Sequence, residues 1–245
     1  MARTRSWCEG WDNPRMDTPP DKRHLALFDL DGTLLPLDTN QAFGQFLARR
    51  GWVDAQAWQA RNAAFLEDHH LGRLDLHRFI DFSTAPWRDR GEDEQLAVRA
   101  EFVAEVIVPA IPVAARRLVA QHQQAGDLVA LVTGTNEFLA APIAAAFGID
   151  HVLAVQLERA DAGRITGRIL GIPSFHVGKV DRVHAWLAAQ DLRLDAFASV
   201  SFYGDSVNDL PLLDVVSRPV AVSPSDALRQ VAQAKGWTII ESLAH

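Results

Sequence analysis

The strongest constraint on the fold is a short apolar run that ends in two aspartates. Residues 24–35 read HLALFDLDGTLL, so a buried strand is followed at once by Asp29, Asp31 and a glycine turn. Because residues two apart on a strand share one side, we expect Asp29 and Asp31 to point the same way at the carboxyl end of this strand. In open α/β sheets this edge is where ligands bind. A solvated turn that carries two aspartates is the simpler alternative for these residues on their own.

Two carboxylates held this close repel each other. At a separation of about 4 Å and an effective dielectric constant of about 20, the repulsion is roughly 4 kcal/mol. A fold that keeps both Asp29 and Asp31 therefore needs a shared proton or a bound cation. Gly32 follows them and allows both a tight turn and the close approach of a ligand to the backbone.

The composition is typical of an ordinary globular protein and argues against several classes. The 245 residues are 48% hydrophobic and 22% charged, which suits one large domain or a core domain with an insertion. A net charge of −7 argues against a nucleic-acid surface, and no apolar run reaches the roughly 18 residues of a membrane helix. Cys8 is the only cysteine, which rules out an intrachain disulfide and favours a cytoplasmic location. We therefore expect neither a nucleic acid nor a membrane as a partner.

The first residues have a different character from the rest of the chain. Residues 1–22 contain glycine, prolines and scattered charges without hydrophobic periodicity, which predicts a disordered leader. No apolar segment follows the early arginines, so the pattern is not that of a secretory signal. Met16 lies shortly before the first strand and is an alternative start of the natural chain.

Residues 39–110 show no strand pattern. Apolar residues recur at spacings of three and four, as in Phe43, Phe46 and Leu47, which is the pattern of amphipathic helices. Glycines and a proline separate several such runs, which predicts a helical insertion of about four helices. We expect three tryptophans to pack the small core of this insertion, namely Trp52, Trp58 and Trp87.

After residue 110, strand and helix patterns alternate, which predicts a parallel sheet with right-handed crossovers. Further strands are expected at residues 127–133, 150–155, 198–203, 218–222 and 237–240, with a hairpin within residues 156–172. The carboxyl ends of three strands then meet at one edge of the sheet. They bring together Asp29 with Asp31, Thr133, and Asp205.

Two charged residues at predicted helix starts extend this group. Lys179 begins a helix, where a cation opposes the helix dipole, and such local conflicts are typical of functional sites. An exposed lysine is the alternative. Asp209 stands four residues after Asp205, before a helix expected at residues 210–216, and the alternative role for it is an N-cap.

In order and spacing, these segments resemble the four motifs of the haloacid dehalogenase-like (HAD) superfamily. Residues 29–33 resemble the first motif, Thr133 the second, Lys179 the third and residues 204–209 the fourth. Each motif is short, but four of them in this order are specific. The resemblance covers residues 24–240.

The helical insertion resembles the C1 cap of the phosphoserine-phosphatase-like branch, subfamily IB. Residues 133–148 also resemble its histidinol-phosphatase-like group, many members of which have alanine where this chain has Gly134. The resemblance implies an α/β fold with a Rossmann-like parallel sheet core. Residues 23–37 and 111–245 would form the core, and residues 38–110 would form the cap.

The resemblance implies an Mg²⁺-dependent phosphomonoester hydrolase. Asp29 would be the nucleophile that forms an aspartyl-phosphate, and Asp31 would serve as general acid and then as general base. Lys179, Thr133 and backbone amides near Gly134 would bind the transferring phosphoryl oxygens.

The metal ligands also follow from the resemblance. Asp29, Asp205 and the backbone carbonyl of Asp31 would hold Mg²⁺, and Asp209 would complete the shell through water or orient Lys179. Thr33 and Asn208 are further candidates, in their case for substrate binding.

Asp38 is the candidate for substrate choice. In phosphoserine phosphatases an acidic residue nine positions after the nucleophile binds the substrate ammonium group, and Asp38 holds that position here. This predicts a small amine-bearing phosphomonoester such as phosphoserine, histidinol phosphate or a phosphorylated amino alcohol. The alternative is that Asp38 only caps the first helix of the cap.

Three rival functions remain to be weighed. A phosphotransferase would pass the phosphoryl group from Asp29 to an alcohol instead of water, and a non-catalytic module would only bind a ligand. A signalling receiver domain is disfavoured because receivers lack a long cap after the first strand. The oligomeric state is left open by these patterns.

Overall fold

The computed structural model describes residues 21–244. The strands are β1 (Asp21–Phe28), β2 (Leu128–Asn136), β3 (His151–Val155), β4 (Leu157–Arg159), β5 (Ile165–Ile169), β6 (Phe197–Gly204), β7 (Arg218–Val222) and β8 (Thr238–Ile240). Six of them form one sheet in the order β3-β2-β1-β6-β7-β8, in which every neighbouring pair is parallel. The other two, β4 and β5, form the predicted antiparallel hairpin. The prediction of an α/β fold with a parallel sheet is confirmed.

The helices are α1 (Thr39–Arg49), α2 (Ala55–His70), α3 (Leu76–Thr84), α4 (Glu92–Phe102), α5 (Val108–Ala110), α6 (Val113–Gln124), α7 (Glu137–Ala146), α8 (Val177–Ala188), α9 (Leu210–Leu213) and α10 (Asp226–Lys235). A π-helical turn, Val103–Ile107, joins α4 to α5. The helices α1–α4 lie in the chain between β1 and the remaining elements of the sheet, in the segment predicted to be a helical cap.

The central strand β1 is buried on both faces. Leu25 and Leu27 pack into a hydrophobic cluster with α8, α9 and α10, whereas Ala26 and Phe28 pack into a second cluster with α7 and the cap. This alternation follows from the two-residue period of a strand, and an unbroken apolar run is what a strand covered on both faces requires.

The three tryptophans pack as predicted. Trp58 and Trp87 are buried in the cap, and Trp52 is partly buried against the same cluster. The ring of Trp87 also stacks on Phe138 of α7, with centroids 4.2 Å apart and planes at 15°. The hydrophobic core of the cap is therefore continuous with that of the sheet.

Several expected boundaries are wrong by one residue, and three of those given above are wrong by two residues or more. The strand β1 begins at Asp21, two residues before the expected start of the core, while residues 1–20, with Cys8 and Met16, lie outside the described residues. The helix α9 ends at Leu213 rather than at residue 216, because the chain must turn before β7 begins at Arg218.

The third difference concerns the end of β2. This strand continues past Thr133 to Asn136. Its pairing with β3 shifts, because the step of four residues from Val132 to Asn136 on β2 matches a step of only two residues, from Leu153 to Val155, on β3. Such a bulge re-aims side chains and is common beside active sites.

Within residues 21–244, no helix combines the length and the apolar character that crossing a bilayer demands.

Candidate active site

Asp29 lies directly after the central strand. Its backbone amide donates to the carbonyl of Tyr203 at 2.9 Å, which continues the pairing of β1 with β6 by one residue. The residue is only 8% exposed, and its Oδ1 lies 2.9 Å from the Nζ of Lys179. Burial raises the pKa of Asp29 to about 6, although the charge of Lys179 opposes this rise.

The turn after Asp29 depends on Gly32. Amides of Leu34 and Leu35 both donate to the carbonyl of Leu30 at 2.9 Å, so the chain folds back on itself. Gly32 has φ of +77°, and a Cβ atom at this position would collide with the carboxylate of Asp205. Only glycine fits both the backbone conformation and the space.

Lys179 is a buried ammonium between two carboxylates. It is the third residue of α8 and is 3% exposed. Its Nζ donates to Oδ1 of Asp209 at 2.6 Å and contacts Oδ1 of Asp29 at 2.9 Å. Burial alone would lower the pKa of Lys179, but the charges of Asp209 and Asp29 outweigh it and leave the pKa raised. The lysine is therefore charged at any physiological pH.

Asp205 and Asp209 follow β6 and complete the charged group. Asp209 is fully buried, and its Oδ2 accepts from the amides of Asp205 at 3.2 Å and Ser206 at 3.3 Å, which shapes the loop. Carboxylate oxygens of Asp29, Asp205 and Asp209 all lie within 4.8 Å of one another. Burial, with the charges of Asp209 and Asp29, raises the pKa of Asp205 well above its usual range. When ionised, these three carboxylates carry more negative charge than the single ammonium group of Lys179 balances, so the cluster can bind a further cation.

Asp31 has different partners from Asp29. Its Oδ2 accepts from the Thr135 hydroxyl at 2.7 Å, and its Oδ1 accepts from the amide of Thr39 at 3.1 Å and from the Thr39 hydroxyl. Burial, with a smaller contribution from Asp38, raises the pKa of Asp31 to about 8. Asp29 and Asp31 were expected to point the same way because alternate residues of a strand share one side. The strand β1 ends at Phe28, however, so both aspartates lie beyond its end and contact different partners.

The bulged end of β2 supplies the next group. Thr133 is buried, and its hydroxyl accepts from the amide of Thr135 at 3.1 Å. Thr133, Gly134 and Thr135 line one cavity together with Asp29 and Lys179. A Cβ atom at Gly134 would lie 3.2 Å from the ring of Phe175, so this part of the cavity is narrow.

The candidates Thr33 and Asn208 lie in different places relative to the cavity. Thr33 is buried beside the loop of Asp205 and donates to its Oδ1 at 3.4 Å, and it is not among the residues that line the cavity. Its hydroxyl is directed to Asp205, so a contact of Thr33 with substrate stays a prediction. Asn208 lines the cavity, yet its Nδ2 donates to the carbonyl of His69 at 3.2 Å, joining the core to the cap.

The position of Asp38 is compatible with both of its predicted roles, as a helix cap and as a contact for the substrate. Its Oδ1 accepts from the amide of Gln41 at 2.7 Å, which makes it the N-cap of α1. The residue also lines the cavity. Capping and a contact with substrate are therefore geometrically compatible.

Some residues in or beside the cavity belong to no motif. Thr39 and Thr135 hold Asp31, and the helical spacing of Asn62, Phe65 and His69 places one face of α2 over the cavity. Thr135 stands two residues after Thr133, a spacing that indicates a shared side of the strand. The sequence spacing shows that these residues share one face of α2, but it does not show that this face covers the cavity.

A parallel α/β core with a carboxylate cluster and a buried lysine at its strand ends, beneath a helical cap, defines one class of hydrolase. Residues 26–214 match the family profile of the haloacid dehalogenase-like hydrolases, and the chain belongs to this family.

Relatives narrow the class. The chain is 41% identical over 218 residues to "Histidinol-phosphatase" of Neisseria meningitidis serogroup C (strain 8013), covering 89% of this chain and 98% of that protein. It is 32% identical over 231 residues to "Phosphoserine phosphatase SerB1" of Mycobacterium tuberculosis (strain ATCC 25618 / H37Rv), covering 90% of this chain and 71% of that protein. The predictions of the family and of a hydrolase of small phosphomonoesters are confirmed.

Solved structures agree on the fold. A protein of unknown function from Bordetella pertussis Tohama I superimposes with a TM-score of 0.84 at 48% identity, covering 90% of this chain and 99% of that one. A substrate-bound phosphoserine phosphatase complex gives a TM-score of 0.64 at 19% identity, covering 91% and 94%. At that identity the second likeness bears on the fold alone.

Proposed function

We propose that this phosphatase is Mg²⁺-dependent and passes the phosphoryl group of its substrate first to Asp29 and then to water. The observation that supports this most is the contact of Asp29 with Lys179, 2.9 Å, at one end of a cavity covered by the cap. A carboxylate is a suitable covalent nucleophile when cations beside it balance the charge of the incoming phosphoryl group.

Asp31 is the general acid and base of this proposal. With a pKa of about 8, its carboxyl group is protonated at neutral pH and holds the proton that a leaving alkoxide needs. Once deprotonated, it can take a proton from the attacking water. Hydroxyl groups of Thr39 and Thr135 hold the carboxyl group in place through both steps.

Lys179, Thr133 and the backbone near Gly134 bind the phosphoryl oxygens. The transition state of phosphoryl transfer carries its charge on these oxygens, so fixed donors and a cation supply most of the stabilisation. Lys179 is held by two carboxylates and does not need to reorganise during the reaction.

The donor set fits Mg²⁺. Asp29, Asp205 and Asp209 offer clustered carboxylate oxygens, which suit a hard cation, and no histidine or cysteine belongs to this group among the described residues. The backbone carbonyl of Asp31 is a further candidate ligand. Bound there, Mg²⁺ would neutralise charge on the transferring group. Thr33 orients Asp205 through its 3.4 Å hydrogen bond.

The cavity favours a substrate with an amine and without a carboxylate. Asp38 lines the cavity and can pair with an ammonium group. Lys179 is the only Lys or Arg among the described residues that line it, and it serves the phosphoryl end. Histidinol phosphate, which matches the name of the Neisseria relative, therefore fits better than phosphoserine, whose carboxylate would lack a cation. A cytoplasmic location is also proposed, since Cys8 is the single cysteine.

Phosphate release from a panel of monoesters tests the proposal. The panel holds histidinol phosphate, phosphoserine, phosphoethanolamine, a sugar phosphate and p-nitrophenyl phosphate, each with Mg²⁺ and with EDTA. We expect Mg²⁺-dependent turnover that is highest on histidinol phosphate. Turnover that is unchanged in EDTA would contradict the metal assignment. Transfer of labelled phosphate to an added alcohol at the expense of hydrolysis would favour the phosphotransferase instead.

A further inference from the structure

Asn62 is a buried polar side chain without a partner. It lies on the cavity face of α2 and is 6% exposed. No hydrogen bond joins its side chain to any other residue within the described part of the chain. A carboxamide offers two donors and two lone pairs, and buried groups of this kind are almost always paired in native structures. The amide atoms of Asn62 keep some surface where the residue lines the cavity, so the partner open to them is a group that the cavity holds.

The surroundings of Asn62 are apolar and partly aromatic. Phe65 and Leu66 follow it on the same face of α2, Phe79 comes from α3, and Phe175 comes from the core, and all four line the cavity. The rings of Phe65 and Phe79 pack at 66° with centroids 5.5 Å apart. Such walls favour a flat, partly apolar group, because aromatic faces and edges stack on rings.

Other polar groups at this end of the cavity are engaged. Asp38 caps α1 through Gln41, and the Asn40 side chain lies 3.5 Å from both the Thr135 hydroxyl and the Asn136 amide. Asn208 Oδ1 also lacks a partner, but its Nδ2 is held by the carbonyl of His69. The amide of Asn62 has both its donor and its acceptor free for a hydrogen-bonding edge of a ligand among these apolar walls.

We propose that Asn62 determines specificity for the leaving group by hydrogen bonding a planar nitrogen heterocycle of the imidazole type, held between the aromatic walls. This rests on the proposed function, because it places the phosphoryl group of the same substrate at Asp29. An imidazole has a donor and an acceptor nitrogen when neutral and two donors when charged, and a carboxamide can pair with either form. The inference separates a ring-bearing amino alcohol phosphate from an open-chain one, which Asp38 alone cannot do.

Steady-state kinetics with three substrates test this role. Wild type and Asn62→Leu, which keeps the size but removes the polar atoms, are compared on L-histidinol phosphate, L-phenylalaninol phosphate and p-nitrophenyl phosphate. The first two share the amino alcohol phosphate and a planar aromatic ring, but only the imidazole ring can hydrogen bond; the imidazole is also smaller and can carry a charge. Gln59→Leu, on the exposed side of the same helix, is the matched control.

We expect wild type to prefer histidinol phosphate over phenylalaninol phosphate by about tenfold or more in kcat/KM. Asn62→Leu should lose this preference, mainly through KM, and should keep its activity on the other two esters. Gln59→Leu should behave as wild type. Absence of the preference in wild type, or an equal loss on all three esters in Asn62→Leu, would overturn the proposal.

Calorimetric binding of free L-histidinol gives a readout that does not depend on turnover. We expect the affinity to fall about tenfold in Asn62→Leu. Equal affinity in both proteins would overturn the role of Asn62. Failure of the proposed function is a different outcome, since it would show as absence of phosphate release even from p-nitrophenyl phosphate in wild type.

Discussion

At the scale of single residues, the site is dominated by charges buried against one another. Lys179 has no solvent to stabilise it and depends on Asp29 and Asp209. The same arrangement makes each of the three sensitive to loss of the others, because removing one partner of a buried pair leaves an unpaired charge.

Replacing Lys179 tests its role with the phosphoryl group. We expect Lys179→Ala to lower kcat by about 10²-fold or more and to change KM much less, because its stabilisation grows in the transition state. Lys235→Ala, which removes an exposed lysine paired with Asp214, is the control and should leave kcat unchanged. A wild-type kcat in Lys179→Ala would show that the lysine is only structural.

Gly32→Ala should displace a metal ligand. The new Cβ atom would press on the carboxylate of Asp205, so we expect loss of most activity and weaker Mg²⁺ activation. Gly51→Ala is the matched control, because Gly51 has φ of +70° with no atom within 4 Å of a Cβ. Both substitutions carry a backbone cost of about 1–2 kcal/mol, but only the first touches the site. Equal kcat in the two variants would contradict the collision.

The two roles of Asp38 can be separated with one substitution. Asparagine caps helices about as well as aspartate, so Asp38→Asn keeps the hydrogen bond to Gln41 and removes the charge. We expect the ratio of kcat/KM for aminated over non-aminated esters to fall by about tenfold, with little change in Tm. An unchanged ratio would leave capping as the only role of Asp38.

The motif residues Asp29, Lys179, Asp205 and Asp209 could be placed together from the sequence, because strand ends and helix starts in a parallel sheet meet at one edge. Thr33 shows the limit of this reasoning. It belongs to the first motif, yet the turn directs it to Asp205, and a turn of this kind is not visible in residue spacing. Asn62 belongs to no sequence motif, and only its position in the cavity of the folded structure identifies it as a candidate.

At the scale of elements, three helices of the cap begin in the same way. Asp38, Asp54 and Asp75 accept from the amides of Gln41 at 2.7 Å, Ala57 at 2.7 Å and Arg78 at 3.2 Å. Aspartate also favours the positive end of the helix dipole. Local side-chain caps therefore define where three of the four cap helices start, whereas α4 begins after Gly91 without one.

Removing the cap of α2 should cost stability without affecting catalysis. We expect Asp54→Ala to lower the free energy of unfolding by about 1 kcal/mol, while kcat stays as in wild type, because Asp54 is exposed and does not line the cavity. Denaturant unfolding measures this. Asp54→Asn is the control and should keep the stability, whereas an equal loss in both would implicate charge and not capping.

Elements were predictable to different degrees. The run at residues 218–222 matches β7 residue for residue, because its boundaries carry local signals. The end of β2 could not be predicted, because a bulge is a mismatch of length with a neighbouring strand. Only the pairing with β3 reveals that Thr133 stands inside the strand, with Asn136 at its end.

At the scale of the whole molecule, the carboxylate cluster couples metal binding to stability. Three carboxylates within 4.8 Å repel one another in the free protein, and a cation that binds only the folded state stabilises it by mass action. We expect Mg²⁺ to raise Tm relative to EDTA, measured by differential scanning fluorimetry.

Asp205→Asn is the control for this prediction. It should lose most of the Mg²⁺-induced shift, and its Tm in EDTA should equal or exceed that of wild type, because one repelling charge is gone. A shift as large as in wild type would place the stabilising cation elsewhere.

Alternation of strands and helices was enough to predict the layered architecture, but not how the cap sits on it. Amphipathic spacing identifies a face that is buried, and it does not identify the partner of that face. The stacking of Trp87 on Phe138 joins residues 51 positions apart and depends on the tertiary fold.

That stacked pair has a consequence for engineering. A cap with a separate hydrophobic core could be exchanged between related proteins in order to transfer substrate selectivity from one to another. Here the indole of Trp87 in the cap packs on Phe138 of α7 in one shared hydrophobic cluster. A transplanted cap without a side chain at the place of Trp87 would leave the ring of Phe138 exposed. A chimera made from this chain therefore has to transfer the face of α7 that carries Phe138 together with the cap.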